Sequence, residues 1–379
     1  MPTLDLAMPT ALFIVITLAM FLNKRVEKKL VATVEQKEFK TRDIILLVVF
    51  MAVMISIIAF TSMINPGGLV PNVLLLVFLT SYSMLLFTFS YVFTNLTRMR
   101  AQLISAAFGI CSLIAGLISF LGPVSDGYTV FRAIAFFVFS AFCLGIVAFE
   151  QKNVITKARW YLAAQPPALF LLLFVFFAFL YNGSFNVWFP ILLDAFGFTF
   201  AFLIILYLSS LFTWKTALVF AALLPILDTT LVFTGPMVAA AQTFTGLGLP
   251  VLVWLPKLPL FVTSTGAIQL SGLGLGDFFF AGVLSVQTFN KFGKKTALIA
   301  TAAIALSFGI WEAFLPGIDA YFHIGGFPAT VCIITGWAPI IALKLLFTRN
   351  QAAQVQVAAQ PVEAPKDPSL PIQYKTLKQ

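Results

Sequence analysis

Long apolar runs separated by short polar segments dominate this chain. A helix that crosses a bilayer needs about 20 apolar residues, and eleven runs approach or exceed that length. They occupy residues 8–22, 44–64, 73–94, 101–121, 130–149, 167–181, 187–212, 214–233, 258–282, 296–315 and 324–347. The first and the sixth are short, so each is a candidate re-entrant segment. The pattern predicts an all-α polytopic membrane protein.

The composition favours the same class of protein. Of 379 residues, 60% are hydrophobic and only 10% are charged, and the mean hydropathy is +1.01. Soluble chains carry roughly 25% charged residues, so a soluble protein is excluded. The hydrophobicity also excludes intrinsic disorder of the apolar body. We therefore expect a multi-pass integral membrane protein, with the cell membrane as its location.

Basic residues segregate to one side of the predicted spans. Cytoplasmic loops of membrane proteins collect Lys and Arg, and residues 23–43 hold seven of them. If the eleven runs alternate across the membrane, 21 of the 23 basic residues lie on that side, and only Arg132 and Lys257 do not. This segregation predicts an N-terminus outside and a C-terminus in the cytoplasm. It also accounts for the net charge of +9 without a nucleic-acid partner.

Few residues in the sequence can bind a metal ion. Cys111, Cys143, Cys332 and the single histidine, His323, show no metal-ligand spacing. The sequence also lacks a glycine-rich nucleotide-binding loop. We therefore expect neither a metal nor an organic cofactor.

Acidic residues inside membrane spans are costly, which makes each one a functional candidate. The predicted spans contain Asp194, Asp228, Asp277 and Glu312. Asp194 and Glu312 lie near the outer ends of their runs, where an interfacial or packing role is expected. Asp228 and Asp277 lie deep in theirs.

The two deep acids share one depth in the membrane. Asp228 follows Lys215 by thirteen residues, and Asp277 precedes Lys291 by fourteen. At 1.5 Å per helical residue, both carboxyl groups lie roughly 20 Å from the inner boundary. Because the two predicted helices are consecutive and antiparallel, their acids can meet.

Two adjacent carboxyl groups in an apolar site share one proton, because both cannot ionise easily. The charged group can then activate a water molecule while the protonated one polarises an amide carbonyl, as in aspartic proteases. The same pair can also couple protons or ions in a transporter. The two acids alone leave both interpretations open, and they do not assign the base and the acid.

Glycines precede Asp277 at alternate positions, namely Gly272, Gly274 and Gly276. Glycine weakens a helix and lets another backbone approach closely, as a protease that unwinds its substrate requires. Helix packing through a GxxxG pair accounts for Gly272 and Gly276. It does not account for Gly274 or for the aspartate directly after Gly276.

The segment Gly274-Leu275-Gly276-Asp277 resembles the GxGD motif of the presenilin and signal peptide peptidase family of intramembrane aspartyl proteases. Asp228 lies 49 residues upstream, in a segment similar to the first catalytic segment of signal peptide peptidases. Pro328-Ala329-Thr330 resembles the family's Pro-Ala-Leu motif, which lies near the catalytic aspartates in the fold. The resemblance runs from the span of Asp228 to the last span.

The resemblance implies a division of the chain. The family has nine transmembrane helices, so residues 73–348 are expected to form a presenilin-like catalytic core. Residues 1–72 would add two transmembrane helices and a basic cytoplasmic loop, and residues 349–379 would form a flexible cytoplasmic tail. The loop between the two aspartates faces outside, which resembles the signal peptide peptidase orientation and favours type II substrates.

The resemblance also implies roles for individual residues. Asp228 and Asp277 are expected to be catalytic. The residues expected to contact substrate around them are Leu227, Gly274, Leu275, Gly276, Pro328, Ala329 and Thr330. Leu227 replaces the family's tyrosine and so removes a hydroxyl and an aromatic ring near the dyad. Thr330 replaces a leucine, and we expect its hydroxyl to meet a substrate backbone.

The leading hypothesis is an intramembrane aspartyl endopeptidase that cleaves transmembrane or signal-peptide-like helices, with the lipid bilayer and its substrates as partners. A prepilin-peptidase-like protease is disfavoured, because that group typically has a lysine shortly after the aspartate, where this chain has three phenylalanines at 278–280. An ion- or proton-coupled transporter is a competing hypothesis. So is an inactive family member that binds transmembrane helices, which Leu227 keeps open. The sequence leaves homo-oligomerisation undetermined.

Overall fold

The structure, a computed structural model, describes residues 5–33, 38–64, 69–94, 96–121, 128–151, 159–181, 186–260, 268–322 and 327–358. Within those residues, ten helical stretches are long and apolar enough to cross a membrane. The predicted all-α polytopic fold is therefore confirmed, and the protein is a multi-pass integral membrane protein.

Thirteen α-helices and one two-stranded sheet form the described part of the chain. The helices are α1 Ala7–Thr33, α2 Thr41–Ile64, α3 Leu69–Val92, α4 Arg98–Leu121, α5 Tyr128–Gln151, α6 Trp160–Ala163, α7 Gln165–Leu173, α8 Leu193–Leu208, α9 Trp214–Phe233, α10 Pro236–Gly246, α11 Leu275–Phe292, α12 Lys294–Phe322 and α13 Ala329–Ala358. The strands are β1 Leu252–Pro256 and β2 Leu270–Gly274. A π-helical segment, Phe174–Leu180, continues α7, and another, Trp188–Leu192, leads into α8.

Both short runs belong to full-length helices. The run at 8–22 is part of α1, which has 27 residues because the charged segment after it is also helical. The run at 167–181 is the end of a stretch of 21 residues, Trp160–Leu180. By length and composition, both stretches are able to cross a membrane.

The predicted span 258–282 is wrong as a continuous helix. Its first part belongs to an antiparallel hairpin in which Trp254 of β1 lies opposite Gly272 of β2, and α11 begins only at Leu275. Glycine at every second position fits a strand, because successive residues of a strand alternate between its two faces. A Cβ atom on Gly272 would lie 2.8 Å from the Trp254 ring, so this cross-strand contact requires glycine.

Helix α10 has no counterpart among the predicted spans. It follows α9 after Gly235, whose φ of 96° ends the first helix, and it begins with Pro236. Glycine just after a helix and proline at the start of the next are ordinary boundary signals. The start of the predicted last span, 324–347, lies outside the described residues, and α13 begins at Ala329.

The centre of the fold is α11. Every residue from 278 to 288 is buried, and the helix contacts α1, α8, α9, α12 and α13. A helix that is apolar all round is buried on all faces. Polar bonds fix its C-terminal half: the Gln287 amide donates to the carbonyl oxygens of Ser209 and Phe212 at 3.0 and 2.8 Å, and the Trp337 indole donates to Thr288 at 2.9 Å.

The proposed division at residue 72 stays a prediction, but α1 and α2 do not form a separate unit. Helix α1 contacts α8, α11 and α12, and α2 contacts α9 and α10. By contrast, α4 and α5 pack mainly on each other, through hydrogen bonds such as Ser105 to the Cys143 carbonyl oxygen at 2.8 Å.

The predicted tail, 349–379, begins inside α13, and residues 359–379 lie outside the described residues.

The two basic residues that break the charge segregation are both buried. Arg132, 1% exposed, donates to the Leu180 carbonyl oxygen and to the Thr129 hydroxyl, and its guanidinium lies 5.3 Å from the centre of the Tyr181 ring. Lys257, 9% exposed, forms an ion pair described below. Each charge is therefore used inside the protein rather than in a solvated outer loop.

We predict that Gly336→Ala destabilises the packing of α12 on α13. The new Cβ would lie 2.4 Å from the Ala303 carbonyl oxygen, so the helices must separate, and overpacking of this kind costs about 1–3 kcal/mol. Thermal unfolding in detergent measures the effect. Gly145→Ala is the control, because nothing lies within 4 Å of its Cβ position. A Gly336→Ala protein as stable as the wild type would contradict the prediction.

Candidate active site

Asp228 lies in the C-terminal half of α9 and is 7% exposed. The helix begins at a capping box in which Thr213 and Thr216 bond each other's backbone N–H groups, which fixes its N-terminal end. Pro225 stands one turn before Asp228. Asp228 is thus presented from a continuous helix, as the sequence predicts.

Asp277 is presented differently, from the first turn of α11. Gly274 is the N-cap residue of this helix and lies against the Asp277 carboxylate. A carboxylate in this position is stabilised by the positive end of the helix dipole. A Cβ on Gly274 would lie 3.1 Å from Oδ2 of Asp277, so a larger residue would displace the carboxylate by a few tenths of an ångström.

The structure brings Asp228 and Asp277 together. Helices α9 and α11 are in contact, and the two carboxyl groups are close enough to interact electrostatically. Cys332 of α13 lies within electrostatic range of both. The site is therefore built from three helices that meet at the end of β2.

Thr330 forms hydrogen bonds to Asp228 of the dyad. Its hydroxyl donates to Oδ2 of Asp228 at 2.6 Å, and its backbone N–H lies 3.3 Å from the same oxygen. From the sequence we expect this hydroxyl to meet a substrate backbone; in the structure it bonds the aspartate instead. Pro328 is buried and Ala329 half-buried at the same end of α13.

The other three candidate residues take separate positions. Leu227 is half-buried and packs against the main hydrophobic core. Leu275 is buried, and its N–H donates to the Val251 carbonyl oxygen at 2.9 Å, so it closes the hairpin onto α11. Gly276 is exposed, with open space where a Cβ would stand.

Strand β2 has one open edge beside the dyad. In an antiparallel pair, directly opposed residues alternate between bonded and non-bonded pairs. Lys257 bonds Gln269, and Leu275 bonds Val251, so the odd-numbered residues of β2 face β1. The backbone groups of Leu270 and Gly272 therefore face away from β1, and the sheet has only two strands within the described residues.

A buried ion pair holds the hairpin at its outer end. Nζ of Lys257 lies 3.7 Å from Oε1 of Glu312, which also accepts a hydrogen bond from the Ser271 hydroxyl at 2.5 Å. Asp5 accepts the Leu258 N–H at 2.9 Å. Sequence reasoning missed these contacts, although each charge in an apolar segment signals a partner.

Asp194 fixes the other edge of the hairpin. Its carboxylate accepts the Trp254 N–H of β1 at 2.7 Å. Asp194 and Glu312 thus both accept hydrogen bonds from residues of the hairpin. Among the described residues, no three His, Cys, Asp or Glu side chains group as metal ligands.

Comparison with known proteins yields no relative: no protein-family model matches the chain, and no curated protein matches it.

We predict that Lys257→Met is strongly destabilising and that Lys257→Met/Glu312→Gln is less so. Removing one partner of a buried pair leaves an uncompensated charge and costs about 3–5 kcal/mol, whereas removing both charges does not. The glutamine can still accept the Ser271 hydrogen bond. The free energies of unfolding of the wild type, Lys257→Met, Glu312→Gln and the double variant, measured in detergent, complete a double-mutant cycle. A double variant no more stable than Lys257→Met would disprove the pairing.

Proposed function

We propose that this protein is an intramembrane aspartyl endopeptidase that hydrolyses peptide bonds within transmembrane helices. One observation carries the proposal: two carboxyl groups, Asp228 and Asp277, come from different helices and interact inside an apolar bundle. Such a pair is the catalytic unit of aspartic proteases. The resemblance of residues 274–277 and 328–330 to presenilin and signal peptide peptidase motifs supports the same activity.

The chemistry needs one proton shared by the dyad. The charged carboxylate accepts a proton from water as the water oxygen attacks the scissile carbonyl carbon, while the protonated carboxyl donates to the carbonyl oxygen. The tetrahedral intermediate then collapses, the C–N bond breaks, and the nitrogen leaves with the proton taken from water. The dyad returns to its starting state, with no other reactant than water.

A substrate helix must be extended before its peptide bond can reach the dyad. The open edge of β2 offers backbone groups at Leu270 and Gly272 to an extended segment, which can add as a third strand. The strand leads directly to Gly274 and Asp277. Gly276, exposed and without a side chain, leaves room for that segment next to the acid.

The substrate class follows from the proposed orientation. With residues 23–43 in the cytoplasm, the hairpin lies toward the outer side and α11 ends at the basic inner side, near Lys291. This arrangement fits type II transmembrane or signal-peptide-like segments, as the resemblance implies.

We expect the purified protein in lipid vesicles to cleave a single-span type II reporter within its span. Asp228→Asn and Asp277→Asn should each lower kcat by about 10²–10⁴-fold, the range for loss of a general acid or base. The wild-type rate should show a bell-shaped pH dependence, since one carboxyl must be charged and the other protonated. Mass spectrometry of the products locates the cut.

Thermal unfolding of both asparagine variants is the control for folding. Full activity in either variant would refute the dyad mechanism. A wild-type protein that is silent with several reporters and pH values would redirect the assignment to helix binding, or to transport if ion-dependent uptake is found.

We expect Leu270→Pro to weaken cleavage about fivefold, the effect of one lost hydrogen bond of about 1 kcal/mol. Proline removes an N–H that faces the open edge, and it is tolerated at the first residue of an edge strand. The loss should appear in kcat/KM. Leu270→Ala keeps the N–H and is the matched control; equal activity of the two variants would argue against strand addition at β2.

A further inference from the structure

We propose that Thr330 determines which aspartate is the base and which is the acid. Its hydroxyl stabilises the negative charge on Asp228 through a hydrogen bond, so that Asp228 is the base that activates water and Asp277 is the acid. The inference rests on the proposed protease function. It makes Thr330 a positioning residue, because it touches Asp228 rather than the substrate.

Each aspartate lies beside the start of a helix. Asp277 stands in the first turn of α11. Asp228 accepts the N–H of Thr330, in the first turn of α13, at 3.3 Å. N–H groups at the start of a helix lack an intrahelical partner, so a helix N-terminus faces each of the two carboxyl groups.

The Thr330 hydroxyl breaks this symmetry. It donates to Oδ2 of Asp228 at 2.6 Å, a distance typical of an O–H group bonded to a charged carboxylate. Hydrogen bonding to the charged form favours that form. Thr330 and Asp228 are both buried, 3% and 7% exposed, so water competes little for this bond.

The geometry also separates the two oxygens of Asp228. Oδ2 accepts both bonds from Thr330, which leaves Oδ1 to receive a proton. Water gives its proton to Oδ1 as its oxygen attacks the carbonyl carbon, and Asp277 gives its proton to the carbonyl oxygen. When the C–N bond breaks, the proton on Asp228 passes to the nitrogen and the carbonyl re-forms, returning its proton to Asp277.

The residue that creates the asymmetry is a feature of this chain. The Pro-Ala-Leu motif that residues 328–330 resemble has a leucine at this position, and leucine has no donor. The threonine in place of leucine therefore adds a hydrogen bond to Asp228, and the sequence alone does not reveal this contact.

The test compares Thr330→Val with Thr330→Ser in the full-length protein, in lipid, on the type II reporter. Valine matches the shape of threonine and keeps the N–H but lacks the hydroxyl, whereas serine keeps the hydroxyl. We expect Thr330→Val to lower kcat roughly 10–100-fold with KM unchanged, as for loss of a hydrogen bond to a charged group. Thr330→Ser should retain kcat within about threefold. A hydroxyl-bearing transition-state analogue should bind Thr330→Val more weakly by the same factor as kcat falls.

Thr330→Ala, which removes the hydroxyl with less bulk, must reproduce the loss in kcat, and it replaces Thr330→Val if that variant fails to fold. If wild type is active and the valine and alanine variants match its kcat, or serine fails to rescue, the role of Thr330 is overturned while the protease assignment stands. If wild type itself cleaves nothing, the proposed function fails first.

Discussion

Every backbone N–H and C=O group inside a membrane must find a partner within the protein, which is why spanning segments are helices. A site that acts on peptide bonds nevertheless needs non-helical backbone at membrane depth. For the proposed protease site, one hairpin meets both requirements. Strand β1 pairs with β2, and the other edge of β1 donates the Trp254 N–H to Asp194. Under the proposed function, an extended substrate would bind the backbone groups of Leu270 and Gly272, which face away from β1 and have no backbone partner within the described residues.

Three charged residues outside the dyad, Asp5, Lys257 and Glu312, bind to that hairpin or to each other beside it. A strand pair alone is only marginally stable, and here its ends are tied to helices by groups that cost free energy to bury. Lys257 pairs with Glu312 on α12, and Asp5 reaches Leu258 from the start of α1. Helix α1 lies against α11 because its residues Met8, Leu12 and Ile16 are fully buried in the main core. Helices α4 and α5, by contrast, pack mainly on each other.

The sequence predicts the helices and the acids for a simple reason. Run length and charge position are one-dimensional properties, and a carboxylate in an apolar run is rare enough to be noticed. The hairpin has no such signal, because two five-residue strands inside an apolar run have the same hydropathy as a helix. The alternation of Gly272 and Gly274 is visible, but within an apolar run it indicates a weakened helix as readily as a strand. The Thr330 contact joins residues 102 positions apart, and the Asp5 contact joins residues 253 apart; only the packed helices bring them together.

The two aspartates are positioned by different surroundings. Asp277 stands on the most buried helix, which is fixed by Gln287 at one end and by the hairpin at the other. Asp228 stands on α9, whose neighbouring residue Ile226 is 65% exposed toward the outside of the bundle. Under the proposed function, this exposed face of α9 is a side from which a membrane-embedded substrate would approach. The hydrogen bonds from Thr330 of α13 hold Asp228 on the buried side of the same helix.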